Sequence, residues 1–415
     1  MKKEKIGNIL QMQRGYDLPV SQMRNGQTPV VGSNGVIGYH DTAKCITPTI
    51  TIGRSGSAGK IHMYDTPTWV HNTALYLTDF KGNNPKYLYY LLQLLHLESL
   101  CGSSVIPSLN RNVVYPMVVN FHENREDQDA ISSILSKIDE KIAVNREINR
   151  NLEAMARQLY DYWFVQFDFP DENGKPYKSS GGKMVWNERL KREIPEEWTN
   201  GTMRDFLKIC NGRDHKQLND GGIPVYGTGG FMRGVDAALY KGESVLLPRK
   251  GSLTNFMLVN EAFWTVDTMF YTQELMTGAA KYVYYGLSYH DITRFDSGTG
   301  VPSMTSIAYY AFPFVRPIDT ILWSFNQMLE PILSKKRQIE VEIKALIQER
   351  DELLPLLMNG QVSVMPSEVN CDLAISNRFS PYLRMLLLQY LIISLISSYE
   401  KPIKSSIQQT NSFLN

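Results

Sequence analysis

Residues 246–258 read "LLPRKGSLTNFML", and residues 51–61 read "TIGRSGSAGKI". Laid over one another, Arg54, Gly56 and Ser57 fall on Arg249, Gly251 and Ser252, an offset of 195 residues. The same offset carries "PVVGSNG" (Pro29 to Gly35) onto "PVYGTGG" (Pro224 to Gly230), Trp69 onto Trp264, Thr73 onto Thr268 and Tyr76 onto Tyr271. It carries "KYLYY" (Lys86 to Tyr90) onto "KYVYY" (Lys281 to Tyr285), and "IPSL" (Ile106 to Leu109) onto "VPSM" (Val301 to Met304). One ungapped offset from Pro29 to Leu109 marks the tandem duplication of a whole domain. Stacked solenoid repeats have periods of about 20–50 residues, so a solenoid is excluded.

Taken alone, "TIGRSGSAGKI" invites a nucleotide-binding reading, and fails it. A Walker A loop is G-x-x-x-x-G-K-[ST]. Gly53 lies one residue too far before Gly59-Lys60, and Ile61 stands where a hydroxyl must reach Mg²⁺. The β-branched, alternating flanks "TPTITIG" and "GKIHMY" predict instead a Gly-rich turn between two strands.

Each copy is followed by a helical segment. After the first, Ile131, Leu135, Ile138, Ile142, Asn145, Asn149, Leu152, Ala156, Leu159 and Trp163 recur at alternating steps of four and three, a heptad seam. After the second, Ile332, Ile339, Ile343, Leu346, Leu353 and Leu357 continue the pattern, and both segments begin with "ILSK". Neither stripe is wide enough to fold alone, and the simplest partner for each is the other. The fold class expected is α+β: two similar α/β heads separated by two long helices pairing as an antiparallel coiled coil, with approximate two-fold symmetry. A helix of about 35–40 residues is roughly 50–60 Å long. Heads so spaced reach successive major grooves, about 34 Å or more apart along B-DNA. Asn145 and Asn149 fall in the seam, either at a solvated edge or fixing register and the antiparallel choice. Pro355 is expected to mark the end of the second helix.

Composition sets the remaining bounds. The chain has 415 residues, is 43% apolar and 20% charged, and carries a formal net charge of +1. These values describe an ordinary globular chain of two or three domains. A free-standing nucleic-acid binder is usually more basic, so any basic surface is local or shared with a partner. Cys45, Cys101, Cys210 and Cys371 lie far apart without a CxxC pair, which argues against a zinc site or a disulfide framework. The N-terminus lacks an apolar stretch of signal-peptide length. The strongest apolar run, Met385 to Ile396, is shorter than the roughly 20 residues a bilayer requires. A cytoplasmic location is expected.

Each head offers a Gly-rich strand–turn–strand with basic and hydroxyl side chains: Arg54, Ser55, Ser57 and Lys60 in one, and Arg249, Lys250, Ser252, Thr254 and Asn255 in the other. Small residues admit a close polyanion. Arg bonds guanine, Asn pairs with adenine, and Ser, Thr and Lys suit phosphates. Other turns supply Ser33, Asn34 and Thr228; Arg14 and Tyr16 against Arg213 and Asp214; Ser108, Asn110 and Arg111 against Ser303 and Thr305; and Arg233. A shared frame with different tips suits the reading of two different half-sequences, whereas any single tip is equally a solvated loop side chain. Trp69, Trp264 and the Tyr clusters read as core.

Three stretches carry a family resemblance: "NLEAMARQLYDYWFVQFDFPDENGKPYKSSGGKMVWNERLKREIPEEW" (Asn151 to Trp198), "ERDELLPLLMNGQVSV" (Glu349 to Val364) and "GNILQMQRGYDLP" (Gly7 to Pro19). Over roughly residues 1–362 the chain resembles the specificity subunit of type I restriction-modification systems. The resemblance implies target-recognition domains at 1–124 and 196–318, conserved helices at 125–168 and 319–362, and a linker at 169–195. It implies that each head reads half of a bipartite, asymmetric site in double-stranded DNA, with the coiled coil setting the spacer. It also implies two docked methyltransferase subunits and a restriction/translocase subunit. S-adenosylmethionine, ATP and Mg²⁺ then belong to those partners, and this chain has no catalytic residue, cofactor or metal. No [DNS]PP[FYW] tetrapeptide is present; "NPKY" (Asn84 to Tyr87) lacks the second proline. Residues 363–415 depart from the family pattern, as an extra docking helix, an appendage or a rearrangement remnant. Two alternatives remain: a two-headed protein-binding scaffold, and a nucleotide enzyme that would depend on Lys60.

Overall fold

A computed structural model describes residues 1–45, 47–101, 108–295 and 300–362. The tail expected at 363–415, with Cys371, lies outside the described residues, as do Ile106 and Pro107 of the repeated "IPSL". The chain divides into two compact units. Unit one is Met1–Val144 together with the chain from Glu342, and unit two is Asn145–Val341.

Unit one opens with β1 (Lys2–Lys5), α1 (Ile6–Ile9), β2 (Gln11–Arg14), β3 (Thr28–Gly32) and β4 (Gly35–His40). It continues with β5 (Thr49–Gly53), β6 (Ile61–Tyr64), β7 (Trp69–Val70), β8 (Ala74–Asp79), α2 (Pro85–Gln93), α3 (Arg111–Val114), β9 (Val118–Phe121) and the start of α4 (Arg125–Tyr160). The sheets run β2-β8-β5-β6 and β4-β3-β7, and β1 pairs with β9. Pro85 opens α2 and Asn84 caps it, accepting from the Tyr87 N–H at 3.0 Å.

Unit two contains β10 (Met184–Asn187), β11 (Arg192–Pro195), β12 (Thr199–Thr202), β13 (Leu207–Asn211), β14 (Asp220–Gly227) and β15 (Gly230–Val235). There follow β16 (Tyr240–Pro248), β17 (Met257–Thr265), β18 (Met269–Glu274), α5 (Ala279–Leu287), α6 (Ser306–Tyr310), β19 (Pro313–Arg316) and the start of α7 (Asp319–Met358). Its main sheet is continuous, β13-β18-β16-β17-β14-β15. The reason is local. Strand β17 covers in one run the positions of β6 and β7, and Pro67, which has no N–H to donate, stands in unit one where unit two has Ala262.

The duplication survives as register. Ile52 pairs with Leu75 as Leu247 pairs with Phe270, and Val30 runs parallel to Trp69 as Val225 does to Trp264. Upstream of the first hairpin the offset changes by two. Gln13 faces Tyr76, whereas Cys210 faces Tyr271. By backbone bonds Tyr16 therefore corresponds to Arg213, and not to Asp214, since Tyr16 N–H donates to the Val70 carbonyl and Arg213 N–H to the Thr265 carbonyl.

The long helices pair within each unit. In unit one Ile131, Leu135, Ile138 and Ile142 of α4 share a core with Leu353 and Leu357 of α7, and Ile343 and Leu346 pack against it. Two ion pairs give the direction: Asp139 with Arg350 at 2.9 Å and Lys141 with Glu342 at 3.3 Å, so one helix ascends as the other descends. In unit two Ala156, Tyr160 and Trp163 share a core with Phe325, Leu329 and Leu333, with Ile332 at its margin, and Glu153 meets Lys336 at 3.0 Å. Ile339 is buried, Leu152 half-buried. Asn145 is 2% exposed and its Nδ2 has no hydrogen-bond partner among the described residues, nor does the buried Oδ1 of Asn149. A solvated edge does not describe Asn145.

Pro355 does not end α7, which runs on to Met358. In the last turn a proline removes only one intrahelical bond, and Leu353, Leu354, Leu357 and Met358, all buried, hold the turn in place. The stop comes at Gly360, in the left-handed region at φ 63°, with Gln361 N–H returning to the Leu356 carbonyl.

Candidate nucleic-acid interface

The loop between β5 and β6 closes on itself. Gly53 N–H donates to the Lys60 carbonyl at 2.7 Å, and Gly59 N–H to the Gly53 carbonyl at 2.8 Å. Amides turned inward in this way do not cradle a phosphate. Gly59 is required for packing, because a Cβ there would meet the Glu98 backbone nitrogen at 2.3 Å.

Arg54 sits where β5 ends. Its N–H donates to the Thr73 carbonyl at 2.8 Å, its carbonyl accepts from Leu109 N–H at 2.8 Å, and its Nη1 reaches the Asn72 carbonyl at 3.4 Å. Arg249 repeats all three bonds. Its N–H donates to Thr268 at 2.8 Å, its carbonyl accepts from Met304 at 2.9 Å, and its Nη1 reaches the Asp267 carbonyl at 3.5 Å. The next residues also correspond, since Ser55 bridges to Ser108 as Lys250 bridges to Ser303.

Arg54 lines an open cleft of about 600 Å³ with Arg14, Tyr16, Asn110 and Arg111. Gln13 and Asp17 line it too, and the sequence reading passed them over. The signal was available in Gly15 of "RGYD", where a Cβ would lie 2.3 Å from the His71 carbonyl oxygen, so the chain is pressed flat there. Arg14 is 3.7 Å from Asp17, a loose exposed pair. Arg111 gives one donor to the Met12 carbonyl at 2.9 Å. The Tyr16 and Tyr76 hydroxyls share a hydrogen bond, and Lys44 lies 4.9 Å over the Tyr16 ring. Asn110 caps α3 and Thr305 caps α6 at the matching place. Ser57 is half-buried inside the loop.

The hairpin tips are tied to the neighbouring loops. Lys60 donates to Asn34 Oδ1 at 2.7 Å in unit one, and Asn255, the counterpart of Lys60, donates to the Thr228 carbonyl at 2.7 Å in unit two. Lys250 and Ser252 are exposed. Thr254 lines a different cleft, of about 290 Å³, with Arg157, Tyr284 and His290. Burial pushes His290 below the ordinary histidine range, so it is neutral there at pH 7. Arg233 is occupied, donating to the carboxylate of Asp220 and to the carbonyls of His215 and Leu218, and thereby holds that loop. Trp69 is buried and packs edge-on to Tyr16, while Trp264 donates its indole N–H to the Arg213 carbonyl.

Residues 1–154 match the family described as "Type I restriction modification DNA specificity domain". A curated relative, the type I restriction enzyme MjaIX specificity subunit of Methanocaldococcus jannaschii, is 24% identical, with 67% of this chain and 69% of the relative aligned. The HindI specificity subunit of Haemophilus influenzae is 20% identical, over 67% of this chain and 77% of its own length. The fold is that of the crystal structure of a type I restriction-modification system S subunit from M. genitalium, at a TM-score of 0.60, 18% identity, and coverage of 86% of this chain and 96% of that one. The matched domain covers residues 1–154, and over about two thirds of its length the chain is similar to type I restriction enzyme specificity subunits.

Proposed function

We propose that this protein is the DNA-sequence reader of a type I restriction-modification complex, with each unit reading one half of a bipartite, asymmetric site. The observation that carries the reading is the repeated frame around Arg54 and Arg249, identical in backbone bonding but differing in side chains at the tips. One scaffold with two sets of tips is what recognition of two unlike half-sites requires. The paired helices are the docking surface for two methyltransferase subunits, and a restriction/translocase subunit joins that assembly. Methyl transfer to adenine and ATP-driven steps belong to those subunits, with their S-adenosylmethionine, ATP and Mg²⁺, and this chain is non-catalytic. The expected location is the cytoplasm; no helix among the described residues is long and apolar enough to cross a membrane.

The test is a genome-wide map of modified adenines in a methylation-free host expressing this chain with its neighbouring methyltransferase subunit. The expected result is a split, asymmetric motif that disappears when this chain is omitted. No sequence-dependent modification from a stable complex would overturn the reading.

A further inference from the structure

Comparison of the two units separates what the interface reads from what it merely grips. Unit one places three cations around its cleft, Arg14, Arg54 and Arg111, with one carboxylate, Asp17. Unit two places Arg213, Arg249 and Lys250 on the same frame, with Asp214 and Asp267. Only one of these cation positions is shared between the units. Asn211 stands where unit one has Arg14, as their pairing with Phe270 and Leu75 shows. Arg213 stands at Tyr16, Lys250 at Ser55, and Ser306 at Arg111.

Two physical points follow. A contact that tells two unlike half-sites apart must differ between the units at equivalent places, whereas a phosphate contact needs only positive charge within reach. The one shared cation is held identically, its Nη1 on the carbonyl of Asn72 or Asp267, and can therefore only report what the two half-sites have in common. None of Arg54, Arg111, Arg213, Arg249 and Lys250 forms an ion pair with a carboxylate among the described residues. Their charge remains available to an external anion.

We infer that Arg54 and Arg249 are sequence-independent anchors for the phosphodiester backbone, and that base discrimination lies in the tip pairs, Asn34 with Lys60 and Thr228 with Asn255. This rests on the DNA-reading function proposed above. The tip pairs occupy equivalent places and differ in chemistry, Lys to Asn Oδ1 in one unit and Asn to a backbone carbonyl in the other. Asn255 keeps its Oδ1 acceptor and its second amide hydrogen for a base edge.

The experiment uses the full chain with its methyltransferase subunit. Its affinity is measured for three duplexes: one carrying the mapped site, a set with single base-pair changes in each half, and a random-sequence duplex. Salt is varied throughout. Arg54→Ala and Arg249→Ala should each weaken binding to all duplexes by a common factor and reduce the salt slope by about one. Arg54→Lys should recover most of the loss, because a phosphate accepts a point charge whereas a guanine does not accept Lys as a bidentate equivalent. Asn255→Ala should change the preference among bases in one half only. A fall of about tenfold or more in the ratio of matched to mismatched affinity at one base pair in Arg54→Ala is the signature of a base contact, and would overturn the inference. A wild-type complex that binds every duplex alike would overturn the parent reading, and the inference with it.

Discussion

The two units solve one packing problem with different polar chemistry. In each, a short helix shares one core with sheet residues and the paired long helices: α2 in unit one, α5 in unit two. In unit one the polar clamp is half-exposed. Tyr90 donates to Asp139 at 2.6 Å, and Asp139 also accepts from Arg350 at 2.9 Å, joining α2, α4 and α7. In unit two the clamp is buried. Lys281, with a side chain 3% exposed, meets Glu243 of β16 at 3.1 Å and Glu330 of α7 at 2.7 Å, and bonds Asn326 as well. Lys86, at the position of Lys281, reaches only an exposed Glu140 at 3.7 Å. Tyr285, at the position of Tyr90, has a buried hydroxyl with no partner among the described residues. Duplication has preserved the backbone and the apolar frame, while the polar clamp has moved.

The largest effect is expected at Lys281. Lys281→Met strands Glu243 in the interior, and breaking a buried pair from one side costs about 3–5 kcal/mol. Lys86→Met, at an exposed pair, should cost less than about 1 kcal/mol. Amide exchange of α5 against α2 in the full chain measures both. The loss should depend on pH. Burial pushes Glu243 above the ordinary glutamate range, against the pull of Lys281. Glu330 is held below that range: burial alone would raise it, but Lys281 and Arg337 outweigh burial. In the wild type the Glu330 contribution is present above the ordinary glutamate range and is lost as pH falls through its depressed value. Without Lys281 both carboxyls shift upward; Glu330 keeps its pair with Arg337, whereas Glu243, already raised by burial, loses its cation and is favoured in the protonated form. The deficit of Lys281→Met should therefore be smaller near pH 5 than near pH 8. A deficit independent of pH would break this account.

Next in size is a pair of tyrosines. Tyr90→Phe removes a hydrogen bond to a carboxylate and should destabilise unit one by about 1.5–3 kcal/mol. Tyr285→Phe removes a buried hydroxyl that has no partner, and should be neutral or stabilising. Equal losses at both sites would show that the clamps are not exchanged as described.

Much of this organisation was legible in the sequence, and the limits have physical causes. The offset was visible because glycines and aromatics at turns and close contacts tolerate few replacements. Gly56 and Gly251, at φ 84° and 91°, are one such pair. The two-residue change upstream of the first hairpin was not visible, because loop length is free wherever no close contact constrains it. It alters which residues correspond, setting Tyr16 against Arg213. The helix seams were legible from their period, but the continuation of α7 past Pro355 was not, since it depends on burial of Leu353 and Leu357 in a core assembled from distant segments. Among the tips, residue type named the candidates, yet type alone could not foresee that Arg233 spends its donors on its own loop or that Thr254 faces another cleft. Both depend on which loops meet across the fold.

Those glycines supply the third comparison. Gly56→Ala and Gly251→Ala force a left-handed backbone on a residue with a Cβ, at about 1–2 kcal/mol each. Space is not limiting, because the nearest atoms to the added Cβ are side-chain atoms of Ser33 at 3.7 Å and Thr228 at 3.4 Å. The two costs should match in chemical denaturation followed separately in each unit. A markedly larger cost in one unit would mean that its loop is the more tightly braced.

The smallest effect lies at the start of the short helices. Asn84 caps α2 by accepting from Tyr87 N–H, and its own N–H donates to Gln128 of α4 at 2.8 Å. Helix α5 starts one residue earlier on the shared offset, with Ala279 at the place of Asn84; the residue before it is Gly278, at φ 84°, with no side-chain cap, and the Glu274 carboxylate accepts from Ala280 N–H at 2.7 Å. One unit caps the helix from within, while the other borrows an acceptor from the preceding strand. Asn84→Ala should then cost about 1 kcal/mol, and Asn84→Gly less, because glycine at a cap costs only a few tenths more than asparagine. In unit two the equivalent loss of a cap should appear on Glu274→Ala. Burial pushes Glu274 above the ordinary glutamate range, so its cap weakens as it takes up a proton, and fraying of the first turn of α5 should grow as pH falls through that raised value while the start of α2 is unchanged. Amide exchange at Ala280 and Tyr87 across that pH range reads the two caps side by side, and parallel behaviour at both would show that the carboxylate is not the cap.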